Sequence, residues 1–205
     1  MSKRLIVVGA TGFQGRSVIK HYQHHKPTCS IRGLTRTPSS EAALQLAKSG
    51  VEIVQGDLNN VDSLKAAFQD ANYIFACTDF GSIIRSPDVM GKFKTGELPA
   101  PVGAESFKIE NQQGRNLADA AASTPTLERL VWSSLPHVKR LSGGKYQQVF
   151  HFDAKAEALE YMLSLESLAG KVSAAHMGAF MTNAKNGFDL FKGEKVQALR
   201  PGFPA

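Results

Sequence analysis

Apolar residues in this chain come in short, often β-branched runs separated by longer stretches of helical spacing. The first run, Leu5-Ile6-Val7-Val8, is continuous, as in a parallel strand covered on both faces. Residues Phe13 to His24 then read as a helix. A second strand is expected over Cys29 to Thr35. Ser39 or Ser40 can cap a helix that runs to Lys48 and stops at Gly50. Val51 to Val54 is a third strand, and Asn60 or Val61 opens a short helix to Gln69. Asn72 to Cys77 is the fourth strand and Leu127 to Ser133 the fifth, with an alanine-rich helix, Glu105 to Ala122, between them. Phe150 to Ala169 is a long helix and Lys171 to His176 a sixth strand. The alternation predicts an α/β fold: a doubly wound parallel sheet of about six strands with helices on both faces.

Two stretches depart from it. Asp79 to Ala104 holds three prolines and four glycines without clear periodicity. It leaves the C-terminal end of the fourth strand, so it is expected to be a long loop on the ligand side. Gly178 to Ala205 has too few elements for a domain of its own. The expected organisation is one domain over 1–178 and a remnant or opening of a second over 179–205.

Composition narrows the class. Of 205 residues, 42% are hydrophobic and 20% charged, which describes a soluble globular chain. No apolar run approaches the ~20 residues of a membrane helix. Met-Ser-Lys-Arg leads straight into the first strand, so no signal peptide is expected. The expected compartment is the cytoplasm, with the nucleus as the alternative. Cys29 and Cys77 are the only cysteines. Both sit in strand-like contexts and are expected to be buried, reduced thiols, with no metal site. The net charge of +6 comes from scattered Lys and Arg residues that form no run. A small anionic ligand needs only a few of them. Helix-turn-helix, zinc and stacking motifs are lacking, so direct nucleic-acid binding is not expected.

The candidate chemistry begins at Gly9-Ala-Thr11-Gly12-Phe13-Gln14-Gly15, between the first strand and the first helix. One glycine permits the tight turn, one lets a phosphate approach the backbone, and one lets helix and strand pack closely. The free N–H groups at the helix start then face an anion. This predicts a dinucleotide site. The second strand ends Gly33-Leu-Thr-Arg36-Thr-Pro38. An acidic residue there would take the ribose hydroxyls of NAD, whereas Arg36 favours the extra phosphate of NADP. Arg32 is close, but its place inside the strand leaves its role open. Asp57, in Gly56-Asp57-Leu58, suits either an adenine contact or a helix cap. Thr78-Asp79-Phe80 would run along the cofactor, with Phe80 on the nicotinamide side or as a loop anchor. The fifth strand ends Ser133-Ser134, and His151-Phe-Asp-Ala-Lys155 opens the long helix. Positions i and i+4 share a helical face, so His151 and Lys155 can point the same way. Lys155 is the candidate to hold the nicotinamide ribose.

These motifs, together with Gln113-Gly-Arg-Asn116, resemble those of the NmrA-like family of atypical short-chain dehydrogenase/reductases. The resemblance spans nearly the whole chain. It implies a Rossmann-like fold and NAD(P) binding through Gly9, Thr11, Gly12, Phe13, Gln14, Gly15, Arg36, Asp57, Leu58, Thr78, Asp79, Phe80 and Lys155. It also implies two kinds of activity. Some members are reductases, including isoflavone-reductase-like relatives. Others bind the dinucleotide without turning it over and act as redox sensors through protein partners such as transcription regulators.

Two departures from the family pattern shape the expectation. The dehydrogenase motif is Tyr-x-x-x-Lys, and here His151 stands in the tyrosine position, while Tyr146 and Tyr161 have the wrong spacing. Gly178-Ala-Phe-Met-Thr-Asn183 resembles the family's entry to a substrate domain, with His176-Met177 in place of Arg-Pro. The expected function is an NADP(H)-binding redox sensor with weak or no turnover. The alternative is an NADPH-dependent reductase of a small carbonyl, quinone or isoflavone-like substrate, with Lys155 and either His151 or Ser134 assisting protonation.

Overall fold

A computed structural model describes residues 3–98 and 101–178 of the chain. Six parallel strands form one sheet: β1 (Arg4–Val8), β2 (Ser30–Thr35), β3 (Glu52–Gln55), β4 (Tyr73–Ala76), β5 (Arg129–Ser134) and β6 (Val172–His176). Their order is β3-β2-β1-β4-β5-β6, a Rossmann-like arrangement. The helices are α1 (Phe13–His25), α2 (Glu41–Lys48), α3 (Val61–Ala67), α4 (Phe80–Ile84), α5 (Pro87–Lys94), α6 (Val102–Ala122), α7 (Val138–Leu141) and α8 (Phe150–Ser164).

Strand alternation divides the core in two. Leu5 and Val7 pack with Ile19 of α1, Ile31 and Phe75 on one face. Ile6 and Val8 pack on the other with Leu64 of α3, Leu117 of α6, Trp132 and Met162 of α8. On this second face α6 and α8 approach closely. A β-carbon at Gly114 would collide with that of Ala158, so the glycine sets the distance between the two helices. Trp132 is fully buried beneath them and donates its indole N–H to the Lys155 carbonyl at 3.0 Å.

The six strands and their order agree with the sequence pattern. The stretch 79–104 does not agree with the expectation of a loop. It contains α4, α5 and the first turn of α6. Pro87 and Pro101 mark helix starts here rather than breaks. Pro87 occupies the first turn of α5 behind the Ser86 cap, whose Oγ accepts from Val89 N at 3.3 Å. Pro101 is the N-cap of α6, which therefore begins at Val102 instead of Glu105. The long helix stops at Ser164, followed by a short 3-10 turn at Glu166–Leu168, and α7 is an additional element. Ser40, not Ser39, caps α2, accepting from Ala43 N at 3.4 Å.

Arg32 has a structural role. Its side chain is buried in β2, donates to the carbonyls of Ala67 at 2.9 Å and Gln69 at 3.1 Å, and pairs with Glu52 at 2.9 Å. It closes the C-terminal end of α3 and is not available to a ligand. Cys29 and Cys77 are free and half-buried, and burial pushes the Cys77 thiol up to about 11. Among the described residues no helix is long and apolar enough to cross a membrane. The segment 179–205, where the sequence suggests the opening of a second domain, lies outside the described residues.

The α6–α8 contact gives a stability test. Gly114→Ala gains about 1 kcal/mol of helix propensity but overpacks the contact with Ala158, at about 1–3 kcal/mol. The expected net result is a lower urea midpoint, partly restored when Ala158→Gly is added. A stabilised single variant would contradict this packing.

Candidate dinucleotide site

The chain passes from β1 outward to β3, then returns to β4 and proceeds to β6. The crevice outside the C-terminal ends of β1 and β4 is thus a topological switch point, where open α/β sheets hold their ligands. The loop between β1 and α1 forms one wall. Gly9 has φ +70°, and its carbonyl accepts from Gly12 N at 2.9 Å, which closes a tight turn. A β-carbon on Gly15 would collide with that same carbonyl and lie 2.8 Å from Ala10 Cα. Gly12 is the exposed N-cap of α1. A β-carbon there would reach only the Gly9 carbonyl, at 3.3 Å, so the space above it is open to a ligand. No side chain caps α1 and no acidic residue lies in its first turn, which leaves the positive helix end facing that space.

Thr11 and Gln14 are half-buried on the loop, and Gln14 Oε1 is buried with no hydrogen-bond partner. Phe13 is 57% exposed, with the Arg16 guanidinium 5.6 Å from its ring centre. Arg36 follows β2 directly; it is exposed and forms no salt bridge among the described residues. The Asp57 carboxylate accepts from Asn59 N at 2.9 Å and Asn59 Nδ2 at 3.0 Å, in a turn that precedes α3. The cap of α3 is Asn60, which accepts from Asp62 N at 3.0 Å and Ser63 N at 3.1 Å. The motif on α6 steadies this turn. Asn116 donates to the Leu58 carbonyl at 2.8 Å and Gln113 to Asn59 Oδ1 at 3.1 Å.

The far wall is built by the end of β4, α6 and α8. Thr78 is buried two residues past β4, where its hydroxyl donates to Glu110 Oε1 at 2.7 Å. Lys155 Nζ donates to the Thr78 carbonyl at 3.0 Å, to the Thr78 hydroxyl at 2.8 Å and to Glu110 Oε1. Asp79 is exposed and caps α4, accepting from Ser82 N at 3.1 Å. The Phe80 ring lies 5.7 Å from that of His151. His151 is solvent-accessible on its other side, and its partial burial pushes the imidazole below its ordinary value. Ser134 is buried, and its hydroxyl lies 3.4 Å from the carbonyls of Leu135 and Lys155. The structure therefore brings Thr78, Lys155, Phe80 and His151 together at the crevice, while Ser134 faces the backbone of α8.

Glu110 escapes a motif-based reading. It is fully buried, and its Oε2 has no hydrogen-bond partner. The available signal is its place on a helical stripe with Gln113, Gly114 and Leu117, all buried. A carboxylate on the inward stripe of a helix needs a cation, and Lys155 supplies it. No group of three or more His, Cys, Asp or Glu side chains among the described residues is placed to hold a metal ion.

Fold and crevice define an α/β domain of the Rossmann type. The sequence matches the NmrA-like family over residues 1–202, and the chain belongs to that family. It is 31% identical over 204 residues to the NmrA-like family domain-containing oxidoreductase FrzB of Cladobotryum sp, covering 98% of this chain and 51% of FrzB. The chain thus spans about half the length of the curated relatives it matches. Among solved structures, the negative transcriptional regulator NmrA superposes with a TM-score of 0.65 at 23% identity, covering 89% of this chain and 48% of NmrA. NmrA has been solved with NADP and with NAD. The Citrobacter sp. triphenylmethane reductase complexed with NADP(H) superposes with a TM-score of 0.63 at 17% identity, covering 88% of this chain and 51% of the reductase.

Two outcomes follow from the geometry. Gly12→Glu places a charged side chain in the open space above the loop and asks the Gly9 carbonyl to shift by only a few tenths of an ångström, so dinucleotide binding should fall by at least ~100-fold with a much smaller loss of thermal midpoint. Retained affinity would place the ligand elsewhere. The His151 imidazole should titrate below the ordinary histidine value of 6.5 by NMR, because burial disfavours its charged form. A midpoint above 6.5 would mean that a carboxylate, not burial, governs the ring.

Proposed function

We propose that this chain is an NADP(H)-binding redox sensor that holds the dinucleotide across the β1–β4 crevice with weak or no turnover. The observation that carries this reading is the state of Lys155. An ammonium has three N–H donors, and here Thr78 O, Thr78 Oγ1 and Glu110 Oε1 accept from it. Little donor capacity is left to activate a substrate. The family's tyrosine position holds His151, whose imidazole burial pushes below its ordinary value, and Ser134 faces backbone. The residues fit the ligand. Gly12 to Gly15 leave a cradle for the pyrophosphate, Arg36 suits a 2′-phosphate, and Thr78 to Phe80 border the nicotinamide end, with Leu58 and Asp57 near the adenine. NADP is favoured over NAD because no acidic residue stands at the end of β2. Output would pass to a protein partner such as a transcription regulator, in the cytoplasm or nucleus.

A second reading is an NADPH-dependent reductase of a small carbonyl, quinone or isoflavone-like compound. The relatives' names favour it, since FrzB and several similar chains are called oxidoreductases. A bound nicotinamide would supply hydride in that case. The chain would then contribute Lys155 as the fixed cation beside the ribose and His151 as the exposed proton donor.

Calorimetry with NADPH, NADP and NAD, followed by an NADPH-oxidation screen over carbonyl and quinone acceptors, separates the readings. The sensor reading expects micromolar or tighter binding and no turnover above background. Steady turnover of any acceptor would replace it with the reductase. Arg36→Ala should weaken NADP by about 10–100-fold and leave NAD nearly unchanged, as expected for loss of a charge-assisted phosphate contact. Equal losses would remove Arg36 from the phosphate.

A further inference from the structure

We infer that Glu110 is a positioning residue whose buried charge sets the balance of affinity between the oxidised and the reduced dinucleotide. The inference rests on the dinucleotide reading of the crevice. NADP+ and NADPH carry the same phosphates, ribose and adenine. They differ at the nicotinamide ring, which is cationic when oxidised and neutral when reduced. The ratio of the two affinities therefore reports the electrostatic field at that ring and cancels contributions from the rest of the ligand.

The charges that shape this field are few. Asp79, which caps α4, and Arg85, whose guanidinium lies beside it over Gly81, are both exposed, so solvent and salt screen them. His151 is partly exposed to solvent, and burial pushes its imidazole away from the charged form. Asp153 is buried but pairs with His137 at 3.1 Å against α7. Glu110 and Lys155 are the pair that borders the crevice from within. The Glu110 side chain is fully buried and that of Lys155 is 12% exposed. In such surroundings a unit charge acts far more strongly than at the surface. Together the two groups are neutral. Glu110 thus cancels the repulsion that Lys155 alone would exert on a cationic ring. It also draws the ammonium back towards Thr78, 2.8 Å away. A buried ion pair contributes little net stability compared with an apolar pair of similar volume. Its presence next to the crevice calls for another purpose, and charge balance at the ring supplies one.

The test is calorimetry of the full chain with NADP+ and with NADPH, for wild type, Glu110→Gln and Glu110→Asp. Glu110→Gln should shift the affinity ratio towards NADPH by about tenfold, because an unopposed ammonium then faces the ring. Glu110→Asp, which keeps the charge, should hold the ratio near wild type even where both affinities fall. A structural role alone would weaken both forms equally, and an unchanged ratio in Glu110→Gln overturns the inference. Where the unpaired ammonium prevents Glu110→Gln from folding, Lys155→Gln is compared with Lys155→Gln/Glu110→Gln. The carboxylate is again the only difference, and the same tenfold shift is expected; equal ratios overturn the inference. Wild-type chain that binds neither form refutes the dinucleotide reading itself, and this inference with it.

Discussion

Helix α1 begins where it does because the Gly9 carbonyl and Gly15 lie closer together than a β-carbon would allow. That approach folds the loop back on itself and brings the amide end of α1 to the C-terminal edge of β1. Everything on the ligand side is arranged against this wall. Cys77, at the end of β4, packs beneath Gly9, so that a β-carbon there would lie 2.8 Å from its sulfur. Thr78 and the Lys155–Glu110 pair follow immediately along the crevice. Without the two bare α-carbons, the loop would rise into the space that the rest of the site surrounds.

The opposite wall relies on a different kind of constraint. Three polar groups, Thr78, Glu110 and Lys155, converge on Glu110 Oε1 in a region that water barely reaches, while Glu110 Oε2 is left without a partner. Removing either charged member leaves the other unpaired, which in buried sites costs about 3–5 kcal/mol. The cluster is therefore hard to alter one residue at a time. It keeps the lysine in one place at the expense of its freedom to act on a substrate.

Much of this was legible in the residues. Continuous β-branched runs marked the strands, and glycine every third residue after β1 marked the loop. Lys155 was found through its spacing from His151. The region 79–104 was harder, because proline and glycine serve both as breakers and as starters. Pro87 opens a helix because Ser86 before it is extended, and Pro101 because it is itself the extended N-cap of α6. Arg32 could not be placed from its strand position, since its partners, the carbonyls of Ala67 and Gln69, are brought to it by the tertiary fold. Glu110 was hidden for the opposite reason. An acidic residue amid a polar stretch of helix reads as solvated until the inward stripe is traced.

Helix α6 carries residues that belong to both ends of the crevice. Gln113 and Asn116 hold the turn at Asn59 and Leu58, which precedes α3. Glu110, one turn earlier, holds the lysine beside Thr78 at the end of β4, and Gly114 seats α8 between them. One rigid rod thus fixes the separation of the two ends of the crevice. The site behaves as a caliper rather than as two independent pockets. A small rotation of the rod would spoil the grip at both jaws at once, so changes at the two ends should combine non-additively.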